Sequence, residues 1–324
     1  MKKPDPIEQA LDRLSALRSG SSPEAAAQEI RKSLGSKSNL VVAKAAKIAG
    51  ELRSAASVPD LVAAFGRLMA DPGKLDKGCA AVTEIAGSLY ELDYAEPEVY
   101  LKGIRHVQKE GAYGPPVDVA SKLRAFSAMG LVRTRHRQAL DEVVSLLVDS
   151  EAPARVGAVR ALASNGGEAG LLVLRLKVLT GDVEPDVMAE CFAGLLSSGE
   201  RSVPFVAGYA DSEDAAVAEG AILALGTSRI PAAFDLLREK LERSAGGELR
   251  RTLLLAMALT RLEAAIEFLV SLLESGNVQT ARDAITALAI YRDNERIRQL
   301  VEAEVSKRGD KVLTEKFRRE MGRE

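Results

Sequence analysis

The chain has 324 residues, 47% of them apolar and 4% aromatic, with no tryptophan and a formal net charge of −2. Core material is ample but must come from Leu, Ala, Val and Ile, and the near-neutral balance excludes an acidic tail or bulk attraction to nucleic acid as organising features. Two cysteines and two histidines leave little for a disulfide framework or a zinc site.

From the N-terminus, "MKKPDPIEQALDRL" has two lysines followed by Pro, Asp and Glu, with no apolar stretch behind them, so no signal peptide is expected. No run approaches the length of uninterrupted apolar residues that a membrane span needs. Helix pairs are predicted next. The first covers about 5–18 and 23–34. Others cover about 38–70, 75–110, 116–149, 152–180, 184–211, 214–244, 247–275 and 278–308, and a charged helix over 311–321 closes the chain. All twelve prolines fall at predicted helix starts or in breaks, where a missing N–H costs least. Ser22 and Ser202 stand where N-caps belong. Sustained period-two alternation is absent, so no β-sheet is expected.

The pairs repeat. Ala-rich cores align at Ala158, Ala189, Ala221, Leu254 and Ala284, spaced 31, 32, 33 and 30 residues apart. Earlier copies, "VAKAAKIAGEL" from Val42 and "CAAVTEIAGSL" from Cys79, recur at wider spacing. A fixed period in this range marks stacked helical hairpins, each burying its face against its neighbours. Segments 1–36 and 311–324 are polar enough to cap the two ends, with the array at 37–310 between them.

The "A-x-x-A-L-G" cores, as in Ala221-Ile222-Leu223-Ala224-Leu225-Gly226, and the apolar second helices, as in "IPAAFDLLREKL" from Ile230, resemble the HEAT-repeat family. Within it they resemble the short bacterial repeats also found in phycobilin-lyase-type proteins. The resemblance spans about 38–308 and implies an all-α chain. The implied architecture is a right-handed α-solenoid of about eight to nine stacked hairpins whose second helices line a concave groove.

Chemistry is scarce. Iron-binding helical-repeat hydroxylases use paired His-Glu dipeptides, and this chain has none. HEAT-like DNA glycosylases lean on Trp, absent here. Gly166-Gly167 and Gly246-Gly247 lack the strand and the Lys-Ser/Thr of a phosphate loop and read as inter-helix turns. No Gly-x-Ser-x-Gly elbow occurs. Cys79 and Cys191 read as buried mid-helix thiols in a reducing compartment. No catalytic residue, metal or cofactor is therefore expected.

One segment departs from the repeat. Residues 74–114 form the longest unit, and "KEGAYGPP" at 109–116 is the longest interior loop. Tyr90, Tyr94, Tyr100 and Tyr113 cluster here with both histidines, and residues 101–140 carry a local balance of +6. On a continuous helix Lys102, Arg105, His106 and Lys109 would form one basic stripe, with Tyr100, Ile104 and Val107 on the core face. Arg133, Arg135 and Arg137, placed at the start of the next second helix, would extend that stripe, and Tyr113 could close over a ligand edge. The opposite anomaly is 182–219, with a balance of −8, whose acids fall mostly in predicted first helical turns.

The resulting expectation is a cytoplasmic, non-enzymatic scaffold with no membrane contact. It would bind an acidic or extended protein partner through Lys102, Arg105, His106, Lys109, Tyr113, Arg133, Arg135 and Arg137. The alternatives are binding of a nucleic-acid backbone by the same patch, and an accessory subunit of a lyase-type enzyme.

Overall fold

A computed structural model describes residues 5–20, 22–111, 114–243 and 248–322. The chain is all-α, 78% helical. It divides into two compact units, 1–173 and 174–324.

In the first unit the helices are α1 (Pro6–Ala16), α2 (Pro23–Leu34), α3 (Asn39–Glu51), α4 (Val58–Leu68), the single turn α5 (Pro72–Leu75), α6 (Ala80–Glu91), α7 (Pro97–Ile104), α8 (Ser121–Arg133), α9 (Ala139–Leu146) and α10 (Ala152–Asn165). First helices pack in a row, α1 on α3, α3 on α6, α6 on α8 and α8 on α10, and second helices form a parallel row, α2 on α4 and α4 on α7. Helix α11 (Gly167–Thr180) contains the boundary between the units.

The second unit repeats the scheme. Its helices are α12 (Pro185–Leu196), α13 (Val203–Gly208), α14 (Ala215–Ser228), α15 (Pro231–Arg243), α16 (Glu248–Leu259), α17 (Glu263–Ser275), α18 (Val278–Leu288), α19 (Glu295–Arg308) and α20 (Lys311–Met321). The rows run α12, α14, α16, α18, α20 and, on the other side, α13 on α15 and α17 on α19. Helix α20 buries Leu313, Phe317 and Met321 against α18 and α19.

Local chemistry sets these boundaries. Proline occupies the first or second position of α1, α2, α4, α7, α10, α12 and α13, where its fixed φ suits the helix and its missing N–H leaves no bond unmade. Side chains of Asp5, Ser22, Asp214, Asn277, Asn294 and Asp310 accept from first-turn N–H groups. Ser202 does not behave as expected: it ends a 3-10 turn, makes no capping bond, and faces the Ser198 hydroxyl at 3.3 Å. The acids of 182–219 largely serve helix starts and ion pairs. Asp214 caps α14, Asp186 lies in the first turn of α12, and Asp182 accepts from the Glu184 N–H at 2.9 Å and from Lys177 Nζ at 2.8 Å.

Small residues set the packing distance. Ala158, Ala221, Leu254 and Ala284 are fully buried, whereas the fifth repeat anchor, Ala189, is half-buried. Gly157 lies directly against Ala125, leaving no space for a side chain. Cys79 and Cys191 are free and fully buried. Cys191 is mid-helix in α12, but Cys79 precedes α6 at φ 53°, which corrects its expected mid-helix position. Gly167, at φ 56°, forms the turn between α10 and α11 as expected, while Gly246-Gly247 lies outside the described residues.

The expectation of no β-sheet is corrected by one short antiparallel pair. Strand β1 (Lys109–Glu110) pairs with β2 (Val117–Asp118), with Lys109 opposite Asp118 and Glu110 opposite Val117. It closes the neck of the long loop between α7 and α8. Among the described residues no helix is long and apolar enough to cross a membrane.

Candidate binding surface

The site begins with a buried carboxylate. Asp76 is fully buried, and its oxygens accept from Asn39 Nδ2 at 3.0 Å and from the Ala81 and Val82 N–H groups at 3.0 and 2.8 Å. It therefore caps α6 from several residues upstream. The chain reaches that position because Gly78 and Cys79 both take left-handed backbone, at φ 74° and 53°.

The segment after α7 is drawn onto this turn. Gln108 donates through Nε2 to the Asp76 carbonyl at 3.0 Å, and the Glu110 carboxylate accepts from the Gly78 N–H at 2.9 Å. Two hydrogen bonds, from the Gln108 amide and then the Gly78 N–H, hold the Glu110 carboxyl below its usual range. Burial pushes the Asp118 carboxyl up, but N–H bonds from Ala120 and Gln108 and the Arg124 guanidinium outweigh it and hold it low. Arg124, 3% exposed, bridges Asp118 and Asp149 and also donates to the His106 carbonyl at 3.0 Å. These bonds end helix α7 at Ile104.

The predicted stripe is consequently not a helix face. Lys102 is exposed on α7. Arg105 is the C-cap residue of that helix and pairs with Glu142 of α9. His106 is non-helical and half-buried, its Nε2 facing Gln108 Oε1 at 3.0 Å. Lys109 is exposed in β1. Val107, expected in the core, is 56% exposed, whereas Tyr100 and Ile104 are buried as expected. The reason is tertiary: long-range bonds to Asp76 and Gly78 override a helical pattern that continues through Lys109.

The second half of the predicted patch is also displaced. Arg133 ends α8, a first helix, rather than starting a second one, and Arg135 and Arg137 lie exposed in the turn before α9. Arg133 donates to the Tyr90 carbonyl and to Asp93, both at 2.8 Å, and its guanidinium sits 3.8 Å from the Tyr90 ring centroid. Tyr90 lies in the last turn of α6 and Asp93 just after it, whereas Gly78 and Asp76 precede the helix. The Arg133 group and the Lys109 group therefore stand at opposite ends of a twelve-residue helix, about 18 Å apart. Tyr113 lies outside the described residues. Tyr100 is a core residue whose hydroxyl donates to the Tyr94 carbonyl at 3.2 Å, and burial pushes its pKa up.

His136 Nδ1 accepts from the Gln138 N–H at 3.3 Å, and burial pushes both thiols up to about 12. Among the described residues no group of three His, Cys, Asp or Glu could hold a metal. On the pinned segment Val107, Lys109 and Val117 are exposed, the last at 61%, and Lys102 is exposed on α7. Two of the open clefts among the described residues of the second unit carry charged edges of both signs. One, of about 610 Å³, is edged by Asp211, Glu219 and Lys240; the other, of about 630 Å³, is edged by Arg261, Tyr291 and Arg296.

No protein-family model and no curated protein matches the chain. Among solved structures, it is similar to a chain from the complex of CpcE and CpcF of phycocyanin lyase from Nostoc sp. PCC7120, at 16% identity and a TM-score of 0.38, over 74% of this chain and 94% of that one. It is also similar to an engineered protein at 19% identity and a TM-score of 0.40, over 99% of this chain and 96% of that one.

Proposed function

We propose that the chain is a non-enzymatic helical-repeat scaffold that holds an acidic protein partner on the loop between α7 and α8. The observation that supports this most is the way the loop is fixed. A connection without a role needs no buried Arg124 with two carboxylates, no capping Asp76 and no strand pair to hold its shape. A loop held this way loses little freedom on binding, which favours affinity. Val107 and Lys109 are exposed on the loop and Lys102 is exposed on the helix before it, and neither lysine has an ion-pair partner among the described residues. Apolar contact with a basic rim suits an acidic protein surface. Arg105 is already engaged by Glu142, so it orients α9 rather than offering a free charge.

Affinity capture with the intact chain, followed by the same capture with K102E/K109E, tests the reading. A partner retained by the parent and lost with the variant, weakening as salt rises, supports it. Equal retention by both overturns it, and salt-sensitive binding of generic DNA instead of protein would transfer the role to a nucleic-acid backbone.

A further inference from the structure

Within the acidic stretch 182–219, two carboxylates beside α14 have no structural task. The Asp214 carboxylate accepts from the Ala216 and Val217 N–H groups at 2.9 and 3.3 Å, so the start of α14 is already capped. Asp211 pairs with Lys240 of α15. Glu213, just before the cap, and Glu219, in the second turn of α14, are both exposed, and neither has an ion-pair partner among the described residues.

Both glutamates line the open cleft of about 610 Å³ in the second unit. The rest of its lining is mostly small and apolar, with Ala210, Ala215, Ala216 and Ala218 around the start of α14 and Leu249 from α16. Its charged groups are three carboxylates against one ammonium, a balance of −2. That ammonium, Lys240, is engaged by Asp211, which leaves Glu213 and Glu219 as the uncompensated pair. Arg251 shares the adjoining cleft of about 190 Å³ with Glu219, but its guanidinium is turned to Asp283 at 3.5 Å.

We propose that this cleft binds a basic peptide segment, whose arginine side chains lay their aliphatic stems along the alanines while their guanidinium groups meet Glu213 and Glu219. An arginine carries a methylene stem under a charged head, so it suits an alanine-lined groove with a carboxylate rim. Guanidinium and carboxylate also match in geometry and charge. A nucleic-acid backbone has the wrong sign for this rim. The cleft lies within the second unit, takes the opposite charge from the α7–α8 loop and does not depend on the role proposed for that loop.

The test uses the full chain and a fluorescent arginine-rich dodecapeptide, read by anisotropy. E213Q/E219Q is the informative variant, because both positions are exposed and the helical fold should persist by circular dichroism. The parent should bind saturably, and the variant should bind roughly tenfold or more weakly. D12N/E24Q removes the same charge from exposed positions of the first unit and should bind like the parent. A216W fills the groove without changing its charge and should also weaken binding. Equal binding by parent and E213Q/E219Q overturns the proposal. So does an equal loss in D12N/E24Q, which would reduce the effect to bulk charge. Undiminished binding by A216W, or of a peptide with glutamine in place of arginine, overturns it as well.

Discussion

Arg124 donates to Asp149 through two nitrogens, Nε and Nη2, each at 2.8 Å. The pair joins α8 to the turn before α10, and the third nitrogen holds Asp118 and the His106 carbonyl at the base of the long loop. One guanidinium thus fixes both the stacking of two repeats and the path of the loop.

Arg124→Ala should destabilise the first unit by several kcal/mol, on the order of 3–5, because it leaves Asp118 and Asp149 buried without their cation. Urea unfolding measures the loss. Adding Asp118→Asn to that background should recover part of it, since the neutral amide no longer needs a counter-charge. A loss under about 0.5 kcal/mol would show that the bridge contributes no more than an exposed ion pair.

The same network sets an acid limit. Asp118 and Glu110 both have folded pKa values below their ordinary ones. Groups of this kind contribute stability that is complete above the unfolded pKa, about 4, and is lost as pH falls through the folded value. Amide protection at the base of the α7–α8 loop, measured relative to the intrinsic exchange rate at each pH, should therefore fall below about pH 4. In D118N/E110Q that step should be absent.

The helices were legible because their signals are local. Proline positions, cap residues and the period of Ala-rich cores each lie within one turn or one repeat, and all described helix pairs fall where that pattern puts them. The binding surface was not, because the residues that shape it meet across long separations: Asp76 with Gln108, Gly78 with Glu110, Arg133 with Tyr90. A helical spacing through Lys102, Arg105, His106 and Lys109 carries no mark of the carbonyl that captures Gln108. The excess length of the 74–114 unit was the visible clue that something other than a hairpin was encoded.

Gly157→Ala should reverse the usual sign of a helix substitution. Exchanging glycine for alanine inside a helix normally stabilises by about 1 kcal/mol. Here the new methyl would overlap the Ala125 backbone on the facing helix α8, and overpacking of that kind costs roughly 1–3 kcal/mol. A lowered melting temperature is expected; a raised one would mean that α8 and α10 separate easily.

Ala224→Asp tests the core of the second unit. Ala224 is 6% exposed on α14, and a carboxylate there would be buried without a partner, at a cost of several kcal/mol. An unchanged melting transition would place that face of α14 in solvent.

The two thiols give one reporter per unit. Cys79 lies in the first unit and Cys191 in the second, each fully buried, and burial pushes both pKa values up to about 12. In the native state at pH 8 both thiols are protonated and shielded from reagent. On unfolding each regains an ordinary pKa of about 8.5, so a substantial fraction becomes thiolate and reacts. In C79A the labelling rate therefore follows opening of the second unit, and in C191A that of the first. If the units open separately, a low concentration of urea should accelerate one variant while the other stays protected, and Arg124→Ala should speed labelling of Cys79 alone. Identical rates for both thiols at every urea concentration would show that the chain opens as a single cooperative block. Rapid labelling without denaturant would show that the thiols are not buried as described.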